Sequence, residues 1–361
     1  MSATVPIPRR AADITSHWLQ AVLGPETNVV EGVEICPIGT GQTGATFRIT
    51  PRYAHSEHEF PSTFVIKLPA DDDGVRAGVT LGYLSEITFY RQAATQTSVP
   101  TPRCFYSDIT EDGTEFALLL ADLSPAVPGD QIAGCGTDAA YQAVSALAGL
   151  HGPSWRDPRW LDLAVAMPKP GDTAAAGGLG DVARMAADIT LDKLGARMDH
   201  RDRETFSEAL GLVTPWLQAG SDTGRFALLH GDYRLDNLMF DTATSSVSVV
   251  DWQTLGVGLP ARDLAYFTAT GLDPDARSAC ENSLVDVYHR RLLEYGVTGY
   301  TRETCWQDYR FGMVQAPLII ALGAAFATPT ARGEEVFLVM LERSCRAIRD
   351  LGTLALISAA D

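Results

Sequence analysis

The stretch FALLHGDYRLDNLMFD, residues 226–241, with its continuation VSVVDWQTLG, residues 247–256, decides how this chain is read. FALL is an apolar run that enters a tight polar loop at His230-Gly231-Asp232. LMF is a short apolar run after Asn237, and VSVV alternates branched residues into Asp251. The pattern is strand, loop, short strand, turn, strand. Asp232, Asn237 and Asp251 then sit at the mouths of short strands. The plain alternative is a turn at HGD and a strand end at DW, with the acids merely solvated; both halves at this spacing speak against it.

Phosphoryl transfer from ATP needs such a set. Its transition state is loose and highly charged, so a protein mainly positions groups and neutralises charge. One carboxylate accepts the proton of the attacking hydroxyl. An amide oxygen and a second carboxylate suit Mg²⁺, which prefers hard oxygen ligands. Asp232 fits the base, Asn237 and Asp251 fit the metal, and the five-residue step from Asp232 to Asn237 lets one loop serve both. The order H-G-D-Y-R-L-D-N resembles the kinase pattern His-x-Asp-x-x-x-x-Asn, with D-W-Q where protein kinases carry D-F-G. HGD, the asparagine and DWQ together resemble the aminoglycoside phosphotransferase and choline kinase group, most closely its ecdysteroid-kinase-like families. That resemblance implies an α+β fold with two protein-kinase-like lobes. A small sheet-and-helix lobe is expected over 1–121 and a larger, mainly helical one over 122–361. It also implies ATP and Mg²⁺ as cofactors and a small-molecule hydroxyl as acceptor. No A-P-E segment or evident activation loop follows, which argues against a protein substrate.

Upstream, a short amphipathic helix is expected over 13–23 and a strand near 33–38. Between that strand and ATFRIT lies Gly39-Thr40-Gly41-Gln42-Thr43-Gly44, a literal G-x-G-x-x-G. A dinucleotide fingerprint needs a helix directly after the glycines, whereas ATFRIT reads as a strand. Strand–glycine loop–strand is the kinase arrangement, which makes Gly39, Gly41 and Gly44 candidates to cover phosphates; a structural turn and an NAD(P)-binding oxidoreductase are the alternatives. STFVIKLPA is an apolar strand carrying one lysine, costly to bury unless paired. Lys67 is therefore matched with Glu86 on the helix GVTLGYLSEITFYRQAATQ, as the resemblance implies for the phosphate-binding lysine; the alternative is a lysine snorkelling off an edge strand. His55 and His58 form an H-x-x-H pair without further ligands nearby. FALLLADLS resembles the family's link between lobes, which places the adenine-reading backbone at Leu119, Leu120 and Ala121, within a window ending at Asp122.

Downstream, residues 124–136 read as loop and 137–151 as a helix ending in Leu150-His151, with Trp155 nearby. GDTAAAGGLGD is expected to be loose. Helices follow over about 181–198 and 202–219, and the resemblance assigns this region to the acceptor pocket. It carries Asp181, Asp188 and Asp192 but also Arg184, Lys193 and Arg197, together with Met185, Ile189, Leu191 and Leu194. That mixed face favours a neutral or partly apolar acceptor over a polycation. Asp263, in the first turn of a helix after Pro260, meets the helix dipole; the resemblance implies an aspartate here that braces the catalytic loop, so Asp263 is read as structural and not catalytic. Three further helices are expected near 275–295, 302–328 and 333–351.

Composition sets bounds. The 361 residues suffice for two lobes, and the formal net charge of −17 leaves no basic face for nucleic acid. Six scattered cysteines without a CxxC pair suggest reduced thiols and a cytoplasmic setting rather than a disulfide frame or zinc site. MSATVPIPRR lacks the apolar run of a signal peptide. MVQAPLIIALGAAFA, interrupted by Gln315 and Pro317, reads as a buried helix rather than a membrane span.

Overall fold

The computed structural model describes residues 5–24, 29–39, 44–54, 60–165 and 167–359. Gly41, His55 and His58 lie outside these. The chain divides into two compact units, one of residues 1–94 and 101–125, the other of residues 95–100 and 126–361.

In the first unit α1 (Ser16–Leu23) is capped by Thr15, whose side chain accepts from Trp18 N. There follow β1 (Val30–Pro37), β2 (Gly44–Tyr53), β3 (Phe64–Pro69), α2 (Asp73–Gly78), α3 (Thr80–Thr88), β4 (Cys104–Ile109) and β5 (Phe116–Ala121). The strands form one sheet in the order β1-β2-β3-β5-β4, antiparallel throughout. Side chains alternate across a strand. Phe64, Ile66 and Leu68 of β3 therefore enter a core with Trp18, Leu19, Ile49 and Leu119. Lys67 takes the other face. The helix α3, with Tyr83, Glu86 and Ile87 buried, supplies that face.

β1 and β2 form an antiparallel hairpin across the glycine segment, with Pro37 opposite Phe47. A strand, not a helix, follows the glycines, so the dinucleotide arrangement is absent from this segment.

The second unit opens with β6 (Val127–Pro128), α4 (Thr137–His151), α5 (Thr173–Leu194), α6 (His200–Gly211) and α7 (Val213–Asp222). β7 (Ala227–Leu229), β8 (Leu238–Asp241), β9 (Ser246–Val249) and β10 (Gly256–Gly258) follow in short order. β6-β8-β9 make one small sheet, and β7 pairs with β10. The chain ends in α8 (Ala261–Gly271), α9 (Pro274–Glu294), α10 (Arg302–Phe311), α11 (Gln315–Phe326), α12 (Ala331–Leu351) and α13 (Thr353–Ser358). Residues 95–100 belong here because Ser98 N donates to Gly149 O and Val249 N to Pro100 O, both at 2.8 Å.

Three expectations are corrected, the first being the single helix near 202–219, which is two, α6 and α7, separated at Leu212. GDTAAAGGLGD is not loose: α5 begins at Thr173, with Asp172 accepting from Ala175 N as its cap. Its glycines serve packing, since a methyl at Gly180 would lie 1.9 Å from Thr214 Oγ1. The single helix expected over 302–328 is two, with a tighter turn at Gly312–Val314. The restart at Gln315 puts Pro317 in a first turn, where its missing N–H costs nothing. By length and composition Arg302–Phe326 could cross a membrane, yet most of it is buried within the protein.

Candidate active site

The loop after β7 is held by backbone and by partners from distant helices. Gly231 has φ +83, and a methyl there would come 2.4 Å from Thr254 O, so only glycine fits. His230 Nδ1 accepts from Asp232 N at 3.3 Å, leaving Nε2–H to donate to Val250 O at 3.0 Å. Asp263, fully buried, accepts from His230 N at 2.6 Å and Gly231 N at 3.0 Å, with His151 Nε2 at 3.3 Å behind it. Gln315 Nε2 donates to Gly231 O at 2.8 Å.

Asp232 is thereby fixed on both oxygens. Oδ1 accepts from Tyr266 OH at 2.6 Å; Oδ2 accepts from Asn237 Nδ2 at 3.0 Å and Arg234 Nε at 3.1 Å. Burial first, then the Asp232 charge, pushes the Tyr266 phenol well above its ordinary value, so it remains the donor. Burial works against the Arg234 charge, but Asp232 and Asp236 more than offset it and raise its pKa.

Asn237 and Asp251 come from adjacent strand ends. Leu238 pairs with Val249, and Val250 N donates to Asn237 O at 3.0 Å, which brings Asp251 one residue beyond that bond. Asn237 Nδ2 also donates to Asp232 O at 2.9 Å. Both amide hydrogens being directed at Asp232, the amide oxygen remains for a cation. Asp251 has φ +68, a left-handed backbone uncommon outside glycine and frequent at functional sites. One amide oxygen and one carboxylate suit a hard divalent ion that keeps several waters, as Mg²⁺ does. Among the described residues no cluster of three or more His, Cys, Asp or Glu could hold a metal.

In the first unit Lys67 Nζ lies 2.7 Å from both carboxylate oxygens of Glu86, whose side chain is fully buried. Gly39 has φ +76, and a methyl at Gly44 would come 2.7 Å from Leu68 O. Leu119, Leu120 and Ala121, expected to read adenine, lie at the end of β5. β5 is an inner strand: Leu119 pairs with Ile66 and Tyr106, Leu120 with Val65 and Cys104. Ala121 N donates to Arg103 O at 2.8 Å. The backbone of these residues is thus engaged within the sheet.

A family model of phosphotransferase enzymes (APH) matches residues 34–304, about three quarters of the chain. The chain belongs to the phosphotransferase enzyme family. Ethanolamine kinase from Plasmodium vivax superposes with a TM-score of 0.52, at 11% identity over 88% of this chain and 82% of that one. The GDP complex of wild-type aminoglycoside 2'-phosphotransferase-IIIa gives 0.51, at 14% identity over 89% and 93%. These likenesses establish the shared two-lobed, kinase-like α+β fold. Acyl-CoA dehydrogenase family member 11 of Gallus gallus is 29% identical over 182 residues, 47% of this chain. The chain spans only 20% of that relative's length.

In this phosphotransferase, sequence reasoning missed Tyr266, Arg234 and Gln315 as partners of the loop. Arg234 stood in plain view, two residues after Asp232; Tyr266 and Gln315 lie on later helices, with no local signal to mark them. Four of the charges on the helices expected to line the acceptor pocket, Asp181, Arg184, Lys193 and Arg197, have partners within the protein. Arg184 pairs with Asp181, Lys193 donates to Ala324 O and Ala325 O, and Arg197 pairs with Glu334 and Glu335. Met185 is half exposed, whereas Leu194 is buried.

Proposed function

We propose that this phosphotransferase moves the γ-phosphate of ATP to a hydroxyl of a small molecule, with Asp232 as the base. The observation that carries the reading is the fixing of Asp232 on both carboxylate oxygens by Tyr266, Asn237 and Arg234. A base held in this way meets the incoming hydroxyl without reorganising, and orientation supplies much of phosphoryl transfer. Asp232 accepts the hydroxyl proton as the oxygen attacks the γ-phosphorus, and the bond from that phosphorus to the β–γ bridging oxygen breaks to release ADP. Asn237 Oδ1 and the Asp251 carboxylate would hold Mg²⁺, which when bound neutralises phosphate charge. In the first unit, Lys67 places an ammonium against phosphate oxygens, and Glu86 aims it. Gly39, Gly41 and Gly44 let backbone N–H groups approach the phosphates without side chains in the way. The activity named in the avian relative is not carried over, because the match covers a fifth of that protein.

The test is Asp232→Asn assayed by ATP consumption across hydroxyl compounds grouped by charge and polarity. Turnover is expected to fall by roughly 10²–10⁴ for any accepted compound, the range for a positioned base, with ATP affinity little changed. Near-normal turnover would remove Asp232 from the role. The mixed helix faces favour neutral or partly apolar acceptors; efficient turnover of aminoglycosides with neutral alcohols inert would reverse that preference.

A further inference from the structure

Beside β10 the second unit holds a cavity of about 70 Å³ bordered by Lys169, Ala176, Trp216, Gly258, Arg262 and Phe311. None of Asp232, Asn237 and Asp251 lines it. Arg262 is its unusual wall. Only 7% exposed, its guanidinium lies 4.5 Å over the Trp216 ring. Nε and Nη2 both donate to one neutral atom, Gln315 Oε1, at 2.9 and 2.6 Å. Arg262 and Gly258 both border the cavity, and Nη1 lies close to Gly258, 3.1 Å from where a methyl built there would stand. Among the described residues no carboxylate forms an ion pair with Arg262. Burial pulls its pKa down to about 10, and Asp263, which opposes this, is itself engaged by His230 N and Gly231 N.

A buried cation without a counter-charge is costly unless something completes it. We propose that this cavity binds a small carboxylate, with an oxygen against Arg262 Nη1. A monoanion matches one guanidinium edge. Lys169 Nζ already donates to Leu161 O at 2.7 Å, and Asp172 and Asp222 on the border disfavour a phosphate dianion. A volume of about 70 Å³ holds a few water-sized groups, enough for a carboxylate and its first carbons. Gln315 bonds Arg262 on one side and Gly231 O on the other, so occupancy bears on the loop that carries Asp232. The carboxylate belongs either to the acceptor, which would then be a hydroxy acid, or to a separate small acid. The first source rests on the proposed kinase function; binding itself does not.

The experiment is a titration of the full chain, without nucleotide, by butyrate and by its neutral isostere butyramide. Butyrate is expected to bind at least ~10-fold tighter, as a charge-assisted bond in a buried site implies. Arg262→Met should abolish that preference. Ala176→Leu, which fills the cavity and leaves the bonds of Arg262 in place, should weaken both ligands; it decides the matter alone if the arginine variant fails to fold. Equal affinity for the two ligands in the wild type, an undiminished preference in folded Arg262→Met, or undiminished affinity for both ligands in Ala176→Leu would overturn the site. ATP-consumption assays separate the sources. Turnover of hydroxycarboxylates above their carboxamides, inhibited competitively by butyrate, assigns the carboxylate to the acceptor. Turnover of a neutral alcohol altered by butyrate without competition assigns it to a separate acid. Butyrate binding with no turnover of any compound supports the site and counts against the kinase reading alone.

Discussion

Asp263 touches no reacting atom in the proposed scheme, yet two buried N–H groups depend on its carboxylate. Leaving a buried donor unsatisfied costs about 1–3 kcal/mol, so Asp263→Ala is expected to cost roughly 2–5 kcal/mol. Urea unfolding reads that loss, and a change under about 1 kcal/mol would mean the loop finds other acceptors. Gly231→Ala should act through the same loop by a different cause, the strain of φ +83 and the approach to Thr254 O. At this scale the sequence was legible where chemistry is local. Asp232, Asn237 and Asp251 announce themselves because the spacing of one loop and one strand brings them together. Tyr266 and Gln315 reach the loop from positions 34 residues beyond Asp232 and 84 beyond Gly231, and no periodicity reports such a contact.

The pairing of β3 with α3 shows how much an element alone can tell. A lysine inside an apolar strand had to be paired or turned outward, and alternation along β3 puts Lys67 on the face that α3 covers. Glu86 is fully buried and Lys67 nearly so, at 0% and 18% side-chain exposure. Removing one partner leaves a buried charge uncompensated. Lys67→Met should therefore lower stability by about 3–5 kcal/mol, whereas Lys67→Met with Glu86→Leu should recover most of it. Denaturant midpoints of the two singles and the double would show it, and strictly additive losses would contradict the coupling. Neither variant should retain turnover. Element types were readable here because strand and helix periods differ. Boundaries were less so: the start of α5 depends on the Asp172 cap and on Gly180 packing against Thr214, which composition alone disguised as a loose glycine tract.

For the molecule as a whole, Lys67 lies in the first compact unit, and Asp232, Asn237 and Asp251 lie in the second. The strand after the glycines and the HGD loop were enough to read this class of fold, since each is a local pattern. The division of the chain was not local. Residues 95–100 fall in the second unit through Gly149 and Val249, contacts far away in sequence. A ligand that binds only the folded protein stabilises it by about 2.7 kcal/mol at 100 times its Kd. ATP with Mg²⁺ is expected to raise Tm by several degrees, and NAD(P) to leave it unchanged, because β2 stands where a dinucleotide fold places a helix. The rise should vanish for ATP with EDTA and in Asp251→Ala, shrink in Asn237→Ala, and survive in Asp232→Asn, whose side chain serves the acceptor and not the metal. A Mg²⁺-dependent shift as large in Asp251→Ala as in the wild type would take the metal away from that carboxylate, whatever the activity assays report.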